Sequence, residues 1–137
     1  MNSGASEEPV ARAHAPTKIV GPDFLGLRVR DLERAASFYE QELGMERMPS
    51  IPPDMVVFRT STIPLAVRKP LPGTNLDAGR PGLGVSISLR VDDAQVLHDR
   101  LRNHGLPILI DPFDTPFGLT CVFQDPDGYA VAIHGAT

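Results

Sequence analysis

Four histidines, one cysteine and a set of arginines are the side chains best suited to chemistry, and their spacing narrows what they can do. His98 and His104 stand six residues apart in a helix-like run, out of the i, i+4 register that would let two imidazoles share an ion. Both read as solvated helix-surface residues. His14 lies in an N-terminal stretch with no apolar period and is given no role. His134 differs, because it shares strand parity with Ala132 and points the same way. There it is a hydrogen-bonding wall residue, or an acid or base beside a bound molecule. Cys121 is the only cysteine, so an intrachain disulfide and a cysteine metal cluster are both excluded. Set within a strand, with no activating neighbour, it reads as a buried inert thiol.

The arginines lead to the elements that position them. Arg28 and Arg90 occupy the same place in two related stretches, Leu27-Arg28-Val29-Arg30-Asp31 and Leu89-Arg90-Val91-Asp92-Asp93, 62 residues apart. Each is followed by a helix-like run that stops near a glycine, Gly44 or Gly105. A repeat of this length is one supersecondary unit used twice, and two such units can build a cleft between them. In the first unit Leu25, Leu27 and Val29 alternate as a half-buried strand. Asp31 caps a helix carrying Ala35, Phe38, Tyr39, Glu42 and Leu43. Extended pieces follow at about 45–51, 55–60 and 64–69. Residues 71–84, rich in glycine and proline, read as a linker. The second unit repeats the order: a strand over 85–91, a helix with Val96, Leu97, His98 and Leu101, then strands at about 107–111, 118–124 and 129–134. Asp125-Pro126-Asp127-Gly128 is a hairpin turn, since Pro presets one turn angle and Gly supplies the positive φ. The expected architecture is α+β: two tandem βαβββ modules, about 22–70 and 85–135, forming a cupped mixed sheet with helices on the outer face.

Bulk properties exclude several classes. With 137 residues the chain makes one domain of ordinary size, expected over 21–137. Its net charge of −4 argues against a phosphate-binding face, so no nucleic-acid partner is expected. No apolar run is long enough for a membrane helix, and the N-terminus lacks the pattern of a signal peptide. A cytoplasmic, soluble protein follows as the expectation. Residues 1–20, rich in Ala, Ser, Glu and Pro, read as a disordered tail.

Two stretches carry a family resemblance: Leu27 through Tyr39 with Leu43-Gly44-Met45, and Phe123-Gln124-Asp125-Pro126-Asp127-Gly128 before the last strand. With the repeat, they make about residues 22–135 resemble the vicinal oxygen chelate superfamily, which holds glyoxalase I, extradiol dioxygenases, fosfomycin-resistance enzymes and bleomycin-resistance proteins. In its metal-dependent members the resemblance implies one His, Gln or Glu ligand on each of four strands. Matched residue by residue, those positions fall on Phe24, near Ala66, on Ser86 and on Ala132. An aromatic ring and two methyls stand where donors are needed, with only a serine among them, so no metal and no cofactor are expected.

Strand parity supplies what faces the cleft instead. If Leu25, Leu27 and Val29 turn to the helices, then Phe24, Gly26 and Arg28 face the cleft, joined by Pro64, Ala66 and Arg68, by Ser86, Ser88 and Arg90, and by Ala132 and His134. The small residues leave room for an organic guest. The arginines either pair with carboxylates across the sheet or hold an anionic or carbonyl-rich ligand. Phe113 and Phe117, set between prolines, form a flap that stacks on a planar ligand, or one of them plugs the core. Met45, Met48 and Met55 fill core gaps or line an apolar wall. The resemblance to the bleomycin-resistance branch implies a homodimer that sequesters a hydrophobic or aromatic drug or natural product, with no catalytic residue. The alternative is an enzyme of the superfamily on a small organic substrate, with His134 as acid or base and an arginine at an oxyanion. A third reading is a structural or regulatory module with a vestigial cleft.

Overall fold

The computed structural model describes residues 17–49 and 53–136. The expected tail up to residue 16, with His14, lies outside them. So does the end of the extended piece expected at 45–51.

In the first module β1 (Leu25–Arg28) leads into α1 (Leu32–Ser37), whose cap is Asp31, accepting the Arg34 N–H at 3.1 Å. The helix does not stay regular to Leu43 as expected. It widens into a π-helical turn over Phe38–Glu42, which carries two successive aromatics, Phe38 and Tyr39, into the core. Strands β2 (Met55–Phe58) and β3 (Leu65–Arg68) complete a three-stranded sheet in the order β1-β3-β2. β1 runs parallel to β3, and β2 antiparallel.

The strand expected at 45–51 is a correction. Among the described residues it is reduced to one bridge, Arg47 opposite Phe58, held by Met48 N to Val57 O and Arg59 N to Glu46 O, both at 2.8 Å. Pro49 and Pro53 have no N–H to extend the ladder.

The second module has β4 (Ile87–Asp93), α2 (Ala94–Asn103) and a four-stranded sheet completed by β5 (Ile108–Thr115), β6 (Gly118–Gln124) and β7 (Ala130–Ala136), in the order β4-β7-β6-β5. β5 runs four residues past the expected end at 111. The extra length contains Pro112, accommodated at a shift of register between Ile110 and Phe113, where a missing N–H breaks no ladder bond. The β5–β6 hairpin then turns at Pro116-Phe117. Gly118 takes a φ of 111° there, and a Cβ would meet the Gly135 carbonyl oxygen at 2.8 Å, so only glycine fits.

One apolar core joins the modules. Leu27, Val29, Phe38, Tyr39 and Val67 from the first pack with Leu97, Leu101, Phe123, Val131 and Ile133 from the second. The Asp125–Gly128 turn bolts them together. Tyr39 donates its hydroxyl to Asp125 Oδ2 at 2.7 Å, while Asp125 Oδ1 accepts the N–H groups of Asp127 and Tyr129. Asp127 Oδ1 accepts the Arg30 N–H at 2.8 Å, and Tyr129 donates to the Arg28 carbonyl at 2.7 Å. Burial pushes the Asp125 carboxyl above its usual range, and burial with Asp125 close by pushes the Tyr39 phenol well above its own.

Candidate binding cleft

Period-2 alternation decides which side chains leave the core. On β1, Leu27 is buried while Gly26, and Phe24 just before the strand, are exposed, and on β4 Ile87 is buried while Ser88 and Arg90 are exposed. Of the expected inventory, Phe24, Gly26, Ser88 and Arg90 therefore turn from the core and are exposed, whereas Ala66 is fully buried. Ser86 is exposed one residue before β4 begins.

On the first sheet the Phe24 ring and the Arg68 stem lie over Gly26, where a Cβ would stand 3.2 Å from the ring and 3.5 Å from the stem. Ala66, between Gly26 and Val57 in register, is fully buried. It forms floor and leaves no open volume. Phe24, Met55, Val57 and Pro64, with Asp23 at the rim, line an apolar pocket of about 270 Å³.

On the second sheet the register sets Arg90, His134, Thr120 and Phe113 in one row, and Ser88, Ala132, Val122 and Ile110 in the next. Ser88 Oγ and His134 Nδ1 are hydrogen-bonded at 3.0 Å, and the Phe117 ring centre lies 6.0 Å from the His134 ring. Neither phenylalanine plugs the core. Phe113 is 45% exposed and Phe117 78%, because the hairpin carries them on its open face and at its tip.

Where the sheets adjoin, Pro64 from the first and Ser88 and Arg90 from the second line a pocket of about 430 Å³ with the Thr60–Ile63 loop, within the range of small-molecule sites. Thr60 shapes that loop, donating to the Ile63 carbonyl at 2.7 Å and accepting from Leu65 N at 2.9 Å. Pro64 is a wall of both pockets. Phe24, Pro64, Ser88, Arg90, His134 and Phe117 thus form one continuous track. Arg28 lies off this track but beside Arg68 in register, at the end of β1, donating to the Lys69 carbonyl at 2.8 Å. Phe113 lies two strands from β4.

Among the described residues Arg28, Arg68 and Arg90 form no ion pair, so pairing with carboxylates across the sheet does not occur there. Val57 and the Thr60–Ile63 loop are lining residues absent from the expected set. Met55-Val56-Val57-Phe58 is apolar on both faces, which hides the alternation that would have shown Val57.

Residues 21–133 match the profile of the Glyoxalase/Bleomycin resistance protein/Dioxygenase superfamily. The chain belongs to that superfamily. No curated protein matches it. Among solved structures, an antibiotic binding protein (TnmS3) from Streptomyces sp. CB03234 is 23% identical, with a TM-score of 0.69 over 89% of this chain and 100% of that one. A fosfomycin resistance protein (FosX) from Mesorhizobium loti is 23% identical, with a TM-score of 0.63 over 88% and 95%. A lactoylglutathione lyase from Agrobacterium tumefaciens is 20% identical, with a TM-score of 0.61 over 88% and 96%. At these identities the likeness is one of fold.

Within this superfamily the donor set becomes the deciding test of a metal centre. Phe24 and Ala132 offer only carbon, Ala66 is buried, and Ser86 is a lone hydroxyl. Among the described residues no three His, Cys, Asp or Glu side chains converge as a metal site would need. The residues present do not fit a divalent ion. Two other expectations meet the structure differently. His98 is not a surface residue: it is 5% exposed, with Nδ1 on Asp99 at 2.9 Å and Nε2 without a partner. Cys121 is fully buried, and burial pushes its thiol up to about 11.

Proposed function

We propose that the chain binds a hydrophobic or aromatic drug or natural product without metal and releases it unchanged, so that resistance arises by sequestration. What carries this reading is the exposure of Phe24, Phe113 and Phe117 on a surface where the family resemblance implies metal donors at Phe24, near Ala66 and at Ala132, positions that here hold a ring and methyl groups. Sequestration requires affinity and no catalytic group. The antibiotic binding protein from Streptomyces, which shares this fold, supports the same class of ligand.

The reading includes a homodimer, in which a second copy covers the exposed aromatics of the cleft faces. It also takes the protein as cytoplasmic, a compartment that keeps the single thiol reduced.

A thermal-shift screen against antibiotics tests the proposal, since a saturating ligand stabilises by RT ln(1 + [L]/Kd). Mass spectrometry of the recovered ligand should show it intact, and metal analysis should show no stoichiometric divalent ion. A chemically altered ligand would support the enzyme reading instead. The Ser88–His134 pair is the one feature favouring it, as a hydroxyl beside an imidazole is the start of a nucleophilic site. Among the described residues no carboxylate hydrogen-bonds the ring to orient it.

A further inference from the structure

Arg28 and Arg68 stand directly opposite each other on the parallel pair β1–β3, on the face that carries Phe24 and Gly26. Like charges in facing positions destabilise a sheet, and a nearby carboxylate ordinarily offsets the repulsion. Among the described residues neither arginine has one within ion-pairing distance. Arg28 Nη1 donates to the Lys69 carbonyl, which supplies a dipole and no charge. Arg68 has no hydrogen-bond partner for its Nε, although that atom is shut off from solvent. Lys69 follows directly and adds a third positive charge at the end of β3. Asp54, whose carbonyl accepts the Lys69 N–H, and Asp23, on the apolar pocket, lie in the same region, but neither forms an ion pair with Arg28 or Arg68.

The apolar pocket of Phe24, Met55, Val57 and Pro64 adjoins this pair: Met55 is the cross-strand partner of Arg68, and the Phe24 ring lies beside its stem. A planar guanidinium offers parallel N–H donors that match a carboxylate's two oxygens. An aromatic ring stacks on Phe24 and against Met55. We propose that Arg28 and Arg68 form an anion subsite, and that the cleft takes an aromatic carboxylic acid with its ring in the apolar pocket and its carboxylate on Arg68. This deepens the binding reading above and rests on it.

Fluorescence titration of the full chain with anthracene-2-carboxylic acid and with its carboxamide, at low ionic strength, tests the subsite. The acid should bind at least about tenfold more tightly than the amide, the ratio that one charge-assisted pair supplies. Arg68→Met keeps the stem over Gly26 and removes the charge. It should abolish the preference, weakening the acid at least about tenfold more than the amide, whose apolar contacts remain. Arg102→Met, an equal change of charge on the exposed face of α2, should leave the preference intact. If acid and amide bind alike, or Arg68→Met weakens both equally, the subsite is wrong and the binding reading stands. If neither probe binds, the subsite is also wrong, and the antibiotic screen decides the binding reading on its own.

Discussion

Tyr39 and Asp125 meet at 2.7 Å across 86 residues of chain, one from the first module's helix and the other from the second module's last turn. The carboxylate is buried and shares its other oxygen between two backbone N–H groups of its own turn. It therefore orders the turn and anchors it to the π-helical turn that follows α1 in one step. Tyr39→Phe leaves Asp125 Oδ2 buried without a donor and should lower the unfolding free energy by about 1.5–3 kcal/mol. Urea denaturation at pH 7 measures it.

The same carboxyl gives a pH dependence of known sign. Burial raises its folded pKa above the ordinary 3.8, against the pull of its hydrogen bonds. The folded state then holds the proton more tightly than the unfolded chain. Its contribution to stability is fully present below 3.8 and is lost as pH rises through the folded value. Asp125→Asn keeps an acceptor for the two N–H groups and removes the titration. The stability of the variant relative to the native chain should improve on going from pH 3.5 to pH 7. A difference that stays flat, or runs the other way, would contradict the assignment.

Much of the fold was legible because one face of each strand is buried. Leu25, Leu27 and Val29 betray their strand, and Asp31 caps its helix as expected by accepting from Arg34 N. The features hidden in the sequence have no local signature. Val57 is one apolar residue in an apolar run. Pro112 argues for a strand end, until a bulge on an edge strand absorbs it. His98 resembles its solvated neighbours, and the packing of α2 on its sheet buries it. The bolt from Tyr39 to Asp125 is tertiary, and the Asp-Pro-Asp-Gly turn gave no hint that its carboxylates serve another module.

His98 makes a prediction of its own. Its Nε2 lies buried without a partner, 3.9 Å from Asp111 Oδ1. An orphaned polar atom of this kind is a burden on the folded state. His98→Leu, close in volume, should be neutral or stabilising by up to about 1 kcal/mol, in contrast to the ordinary result of a core substitution. Differential scanning calorimetry is the measurement, and a fall in Tm beyond about 4 °C would sink the argument.

Cys121 should be protected by both its burial and its raised thiol. Reaction with a disulfide reagent at pH 8 needs the thiolate, which a value of about 11 makes scarce, and access, which full burial denies. The native chain should react at least about a hundredfold more slowly than free cysteine. In urea the rate should rise along the unfolding transition. A fast stoichiometric reaction in the native state would show β6 opening without global unfolding.

The exposed aromatics offer the test of the second copy. Phe113 and Phe117 sit on the hairpin's open face and tip, with Ile110 also exposed on β5. Water contact with two phenylalanines and an isoleucine along one hairpin is unfavourable for a lone chain, and a partner's apolar surface relieves it. The chain should sediment as a dimer at micromolar concentration. Phe117→Asp combined with Phe113→Asp should shift it to monomer, because burying two carboxylates costs several kcal/mol. The variant's far-UV circular dichroism should match the native chain's, since neither ring belongs to the core. A native chain that remains monomeric at 100 μM would leave each cleft to a single copy and remove the homodimer from the proposed function.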